Sequence, residues 1–512
     1  YQQLQDALSA QSTALTAQRT AQSVRLGQIL ASVSCAPDDP EAEALAALPK
    51  QPETPPDTVE ALLQGYREEM VETLQSWVRI PSVKGDAAPG APFGRENRQC
   101  LDPAMADCRR MGFDSEIFDG YVGHADLGEG STRDALAILA HLDVVPVGDG
   151  WTVEPFGALR RDGKVYGRGT SDDKGPAVAA LYAMRAVKEA GLPLRRKVRL
   201  ILGCDEECGS GDMKYYKEHT EMPRSGFSPD ADYPVINIEK GGCHLRVVGR
   251  QGKEGLRIRA MQVGERANVV PGFASALVEG DESLVKKAEE AGKALGFPVS
   301  ARMEEDAVRI DTVGVTGHAA FPSHGRNAIG QMLLVLKALG AKGAIAQLAD
   351  AIGMTCYGEG LGIAMEDQIS GKLTCSLDIF RVEGDTVEGV MDIRYPVLLN
   401  LEEMVKLAQM RLTECQVIVD SSRKPHHVSE HSELVQQLLE AYHEVTGGEK
   451  KALAIGGGTY AQSMEEGVAF GALFPGETEL AHQADEYISE ESLYQNARIF
   501  ARAIVRLAGE KK

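Results

Sequence analysis

Leu136–Val145 reads LAILAHLDVV. Five apolar residues run without interruption and end in His141-Leu142-Asp143. A run without polar alternation has both faces covered, as in the central strand of a parallel sheet. Downstream, Lys197–Glu207 (KVRLILGCDEE) is a second such run ending in acids, and Pro234–Gly241 (PVINIEKG) a third. Between the first two, Pro176–Ala190 has recurring Ala, Leu and Met with Gly191 as a stop, the pattern of a helix. Strand, helix and strand at this spacing predict an α/β fold with a mostly parallel sheet and flanking helices. The acids fall just past the carboxyl ends of the strands, where open α/β sheets place their ligands.

The texture changes over 241–425. Short alternating runs (LRVVGR, AVRIDTVGV, SLDIFRV, GVMDIRYPV) alternate with helical stretches such as Ala328–Leu339. This predicts an α+β domain inserted into the first, leaving 57–240 and 426–512 as two parts of one sheet domain. Upstream, a helix fits Thr58–Ile80, stopped by Pro81, and Gln51–Asp57 (QPETPPD) reads as a linker. Residues 1–56 differ in composition from the rest. An irregular stripe from Leu4 to Leu30 predicts a helix packed on the body or a linker; a partner contact through residues 1–50 is the other reading.

The chain has 512 residues, too many for one core. Its 54 basic and 75 acidic residues give a net charge of −21, which repels nucleic acid and anionic membrane. No apolar run is long enough to span a bilayer. The nine cysteines are odd in number and scattered. Cys204 and Cys208 flank acids with no second pair behind them, so they read as reduced thiols of a cytoplasmic protein. No basic start followed by an apolar signal core is present.

Five clusters carry chemistry. An isolated His-x-Asp such as His141-Leu142-Asp143 is most often structural, yet an imidazole that binds metal needs a nearby acceptor to fix its tautomer. Asp172-Asp173, framed by glycines before a helix, reads equally as a helix N-cap or as a carboxylate aimed at a cation. Asp205-Glu206-Glu207 follows a buried strand; such acids are usually solvated, but one can ligate metal while its neighbour acts as general base. Ser228–Pro234 (SPDADYP) alone favours an Asx turn. His482 alone reads as an ordinary surface histidine. Together they supply the five or six His and carboxylate groups that a pair of cations requires.

In order along the chain, AHLDVVPVGDGW, GRGTSDDKGP, DEE, SPDADYP, GGGTY and AHQADEY resemble the M20 metallopeptidases. Within them the sequence is most similar to PepV-type dipeptidases, with carnosinase-like enzymes next. The likeness runs from about Asp57 to the C-terminus. It implies a two-metal-ion dipeptidase that hydrolyses short peptides with a free C-terminal carboxylate through a metal-bridging water. It implies two divalent ions, zinc with manganese or cobalt as alternatives, and a small peptide as partner. Position by position, His141, Asp172, Glu207, Asp230 and His482 match metal ligands, with Asp172 bridging through a cis bond to Asp173. His141 and Asp230 share one ion and His482 ends the other. Asp143 matches the residue that orients His141, and Glu206 the general base.

The resemblance makes the inserted domain a lid that closes on substrate. There His318 matches the group that polarises the scissile carbonyl. Asn268 and Arg394 match substrate-binding positions, Arg394 gripping the carboxylate with a two-pronged fork. Gly456, Gly457 and Gly458 let backbone approach the substrate, and Thr459 is placed to hydrogen-bond it. An enlarged lid stands in for a second subunit in PepV-like relatives, which implies a monomer. One departure is Asp205-Glu206-Glu207-Cys208 where relatives have Asn-Glu-Glu-Thr, which puts a thiol near the metals. An N-acyl-amino-acid deacylase, and a non-catalytic scaffold on the same fold, are the competing readings.

Overall fold

The computed structural model describes residues 55–510. The expectations for residues 1–54, the helical stripe and most of the linker, lie outside them. The end of that linker is helical instead: Pro55–Gly65 is a helix opening on a proline, whose missing N–H has no intrahelical partner at that position. The single helix expected over Thr58–Ile80 is two, Pro55–Gly65 and Arg67–Val78, broken at Gly65, a poor helix former.

One sheet has the order Asp114–Phe118, Val122–Leu127, Val198–Gly203, Leu136–His141, Ser225–Ser228, Glu466–Ala469, Val235–Glu239, His426–His427, with Ala452–Ile455 also on Val235–Glu239. Leu136–His141 is its centre, parallel to both neighbours. Antiparallel pairings close the edges. The opening quintet is fully buried because its alternate residues enter two apolar layers. Leu136, Ile138 and Ala140 face the main core with Tyr182 and Phe500, from helices Lys174–Glu189 and Glu490–Ala508. Ala137 and Leu139 face a smaller cluster with Tyr216 and Tyr460. The alanines of Lys174–Glu189 let that helix lie flat on the sheet, and nearly its whole length is buried.

A second sheet of eight strands is antiparallel throughout: Val299–Glu304, Ala307–Val313, Phe273–Glu279, Ile258–Val263, Thr374–Glu383, Thr386–Tyr395, Gly241–Arg250, Cys415–Arg423. Its strands alternate buried and exposed residues, as in Phe273–Glu279. Helix Ala328–Ala338 and its neighbours cover one face, giving a separate apolar core around Leu245, Ile310, Leu333 and Phe380. Among the described residues no helix is long and apolar enough to cross a membrane, and Cys204 and Cys208 are free thiols.

Candidate metal centre

Three adjacent parallel strands deliver the first groups. His141 is the last residue of Leu136–His141. Its neighbour Val198–Gly203 runs into Asp205-Glu206-Glu207, and Ser225–Ser228 runs into Asp230. Asp172 comes from the turn before helix Lys174–Glu189, and His482 from a distant loop.

The structure brings these groups together. His141 Nε2 lies 3.0 Å from Asp172 Oδ1 and 3.8 Å from Asp230 Oδ2. The other oxygen of Asp172 lies 3.1 Å from His482 Nε2, which is itself 3.0 Å from Glu207 Oε1. One carboxylate therefore faces two imidazoles with opposite oxygens. Candidate ligand atoms of His141, Asp172 and Glu207, and of His141, Glu206 and Asp230, each fall within 4.8 Å of one another. His141 Nδ1 is 3.0 Å from the carbonyl oxygen of Asp143, so Nδ1–H donates there and Nε2 is the nitrogen that faces the acids.

The loop behind the glutamates is held by four consecutive amides. The N–H groups of Glu206 and Glu207 donate to Asp143 Oδ1 and Oδ2 at 3.1 and 3.1 Å. Those of Cys204 and Asp205 donate to Asp212 Oδ2 at 2.6 and 2.9 Å. The Tyr460 hydroxyl, from the glycine-rich loop, donates to the same Asp212 oxygen. Asp143 was expected to orient His141. Its carboxylate is 3.5 Å from His141 Nδ1, and its shorter bonds hold the two glutamates.

The adjacent aspartates divide the two readings the sequence left open. Asp173 takes the N-cap position of helix Lys174–Glu189, its Oδ2 accepting from the His141 N–H at 3.1 Å. Asp172 turns to the imidazoles, and the bond between them is cis. Sequence reasoning missed what fixes this turn. Glu486 Oε1 accepts from the N–H groups of Gly169 (3.0 Å), Ser171 (2.9 Å) and Asp172 (3.3 Å), and from the Ser171 hydroxyl at 3.1 Å. Its Oε2 takes the Arg168 guanidinium at 2.6 Å, both residues fully buried. A signal was present: Arg168 and Glu486 are opposite charges inside two of the quoted motifs, and charges are rarely buried unless paired.

Six carboxylates, from Asp143, Asp172, Asp173, Glu206, Glu207 and Asp230, crowd two imidazoles. Burial, against the pull of His141 and with repulsion from Glu207, Asp143 and Asp172, pushes Glu206 up to about 8. Burial and the charge of Asp172 raise Glu207 and Asp230 as well. Burial also opposes ionisation of Asp172, but the bonds from His141 and His482 outweigh it and hold its carboxyl far below the usual range. Hydrogen bonds to Asp172 and Glu207 push His482 up to about 10. Asp173 Oδ1 is buried without a partner among the described residues. Like charges packed this closely call for cations, and imidazole with carboxylate is a donor set for zinc, manganese or cobalt. The residues fit a divalent metal site.

The residues expected on the substrate side are placed by the second sheet and the glycine loop. His318 pairs with Val269 in a two-stranded ribbon, and its Nδ1 accepts from the Ala320 N–H at 3.0 Å. Partial loss of solvent, and then the charges of Arg394 and His482, lower its proton affinity. Asn268 is exposed, its carbonyl accepting from the Ala319 N–H at 3.0 Å. The fork expected of Arg394 is engaged inside the chain: Nε and Nη2 donate to Asp392 at 2.6 and 2.7 Å, and Nη1 to the Gly456 carbonyl at 3.2 Å. The Thr459 hydroxyl donates to Glu239 at 2.7 Å and caps the short helix Tyr460–Ser463. The Gly457 carbonyl accepts from Arg423.

An α/β sheet with acids and imidazoles gathered at the carboxyl ends of its central strands, with a further histidine on a separate two-stranded ribbon, has the build of a metal-dependent hydrolase. The chain belongs to peptidase family M20/M25/M40, whose model matches residues 137–506, and is a peptidase. A Bacillus subtilis (strain 168) protein named "Putative dipeptidase YtjP" is 37% identical over 455 residues, 86% of this chain and 98% of that one. The Beta-Ala-Xaa dipeptidase of Lactobacillus delbrueckii subsp. lactis is 31% identical over 466 residues, 88% of this chain and 98% of that one. Among solved structures, human carnosine dipeptidase 1 superposes with a TM-score of 0.56 at 16% identity, covering 89% of this chain and 99% of that one. That likeness shows the shared fold.

Proposed function

We propose that this peptidase is a two-metal-ion dipeptidase acting on short peptides with a free C-terminal carboxylate. The observation that carries the reading is Asp172, whose two oxygens face His141 and His482, each imidazole with a further acid beside it. His141 and Asp230 would hold one cation, His482 and Glu207 the other, with Asp172 between them. Bound there, two divalent ions supply Lewis acidity, polarising the scissile carbonyl and acidifying water. Glu206, held by its backbone to Asp143, takes a proton from the attacking water and hands it to the leaving amine. His318 spends Nδ1 on the Ala320 N–H, so its proton sits on Nε2. Its lowered proton affinity keeps the ring neutral, a hydrogen-bond donor for the developing oxyanion. Arg394, its Nε and Nη2 held by Asp392, keeps Nη1 on the Gly456 carbonyl of the glycine-rich loop, and Asn268, Gly457 and Thr459 line the approach.

In this reading 57–240 and 426–512 form the catalytic domain and 241–425 a lid. The protein works as a cytoplasmic monomer. The relatives support dipeptides over N-acyl amino acids, and the name of the Lactobacillus enzyme makes β-alanyl dipeptides the first substrates to try. The test is an assay of free dipeptides against N-acetyl amino acids, on protein stripped with chelator and reloaded with zinc, manganese or cobalt. Dipeptide hydrolysis that needs added metal, and that Glu206→Gln lowers by about 10³-fold or more with metal still bound, is the expected result. Faster cleavage of the N-acetyl compounds would mean a deacylase.

A further inference from the structure

Building on the dipeptide reading, we infer that Glu239 is a positioning residue: with Arg423 it fixes the glycine-rich loop 456–459 at the seam where the chain passes between the two sheets. Glu239 is the last residue of Val235–Glu239 in the first sheet, and Lys240 leads directly into Gly241–Arg250 of the second. Arg423 ends Cys415–Arg423, the edge strand of the second sheet, and the chain returns through His426, which pairs with Glu239. The two crossings therefore run side by side. Arg423 Nη2 ties them, donating to the Lys240 carbonyl at 3.1 Å, and reaches on to the carbonyls of Gly456 at 3.2 Å and Gly457 at 2.8 Å.

Glu239 holds the other end of the loop. Its Oε1 accepts from the Thr459 N–H at 3.1 Å and hydroxyl at 2.7 Å, and the residue is buried. Burial raises its carboxyl, while the Thr459 bonds, the Arg423 charge and Gln462 pull the other way. On Arg423, burial acts first and the Glu239 charge next. Acid and guanidinium answer each other, as buried charges must. Among the described residues Glu239 Oε2, Arg423 Nε and Gln462 Nε2 are buried without a hydrogen-bond partner, so the pair acts through charge and not through a direct bond. The loop is caught between them, Thr459 on the acid and two glycine carbonyls on the cation. Glycine at 458 lets the guanidinium lie on the loop's backbone, since a Cβ there would stand 1.5 Å from Nη1. A Cβ on Gly456 would lie 3.2 Å from Ala320 Cβ, and the Ala320 N–H holds His318 Nδ1. The loop therefore backs the turn that carries His318. Beyond Thr459, Tyr460 is anchored on Asp212, so slack introduced at Thr459 stops short of the metal side.

The experiment reads loop and chemistry separately, on metal-loaded wild type, Glu239→Gln, Arg423→Gln and the double variant. Hydrogen exchange over 456–462 should quicken about tenfold in each single variant, with 204–207 unchanged. On a free dipeptide KM should rise about tenfold and kcat stay within about threefold, with metal affinity by chelator competition within about twofold. Because both residues act on one loop, the double variant should also raise KM about tenfold, where independent losses would give about 100-fold. If Glu239→Gln does not fold, Arg423→Gln, altered at a strand end, must show the exchange and KM changes alone. Unchanged exchange over 456–462 overturns the proposal. So does a 100-fold rise in KM in the double variant, or a loss of kcat or metal affinity with KM unmoved. Wild type that cleaves no dipeptide overturns the dipeptidase reading, and the exchange result then decides the positioning role by itself.

Discussion

The metal side and the substrate side of this site are built in different ways. On the metal side Asp172 and the two glutamates are held through their backbones by buried acids: Asp143 and Asp212 take four amides of the 204–207 loop, and Glu486 takes three amides of the 169–172 turn. On the substrate side His318 and Asn268 sit on or beside a ribbon of two residues per strand, both exposed. Ligands to a cation tolerate little displacement, and here hydrogen bonds at the carboxyl ends of the first sheet fix these groups. Groups that meet a substrate need room to let it in, and a short exposed ribbon leaves that room. Damage on the two sides should therefore read out differently.

The largest effect tests the substrate side. His318→Ala should lower kcat by about 10²–10³-fold, the usual loss for one oxyanion donor, while metal affinity measured by chelator competition stays within about twofold. Weakened metal binding in that variant would mean that the two sides are not separable. Asp143→Asn is the converse. An asparagine keeps one acceptor oxygen but turns an NH₂ toward the second glutamate amide, opposing donor to donor. Metal affinity should fall about 10–100-fold, the typical cost of losing support behind a ligand, with kcat falling alongside. If Asp143→Asn binds metal normally, the amide clamp is not what positions Glu206 and Glu207.

Much of the metal side was legible because it follows from the strands. His141, the 205–207 acids and Asp230 each stand at or just past the carboxyl end of a run whose unbroken apolar pattern announced it. What pairs with what inside the loops was not legible. Glu486 and Arg168 are 318 positions apart, and only the closed fold puts an acid under the amides of the 169–172 turn. The bond between the Arg394 fork and Asp392 also went unread: Asp392 is two residues earlier on the same strand, so their side chains share one face. The break at Gly65 and the helical start at Pro55 were local signals outweighed by an apolar pattern that continued past them.

A third effect, on stability rather than activity, concerns how each side bears buried acid. Glu206 on the metal side and Asp378 on strand Thr374–Glu383 are both pushed up to about 8, chiefly by burial. A bound divalent cation would relieve the first. Asp378 has no such relief: Oδ1 accepts from the Ser376 hydroxyl, Oδ2 has no partner among the described residues, and the charge of Asp392 adds to burial. Its folded value stands above the unfolded one near 3.8, so its stabilising contribution is complete below that pH and is lost as pH rises through about 8. Asp378→Asn removes the titration. On metal-loaded protein it should raise the unfolding free energy at pH 8 by something on the order of 5 kcal/mol and change it little at pH 4. Thermal melts of both proteins across that range decide the matter. Parallel curves would mean that Asp378 stays ionised within its sheet, and that the second sheet, like the first, has a way of answering a buried charge.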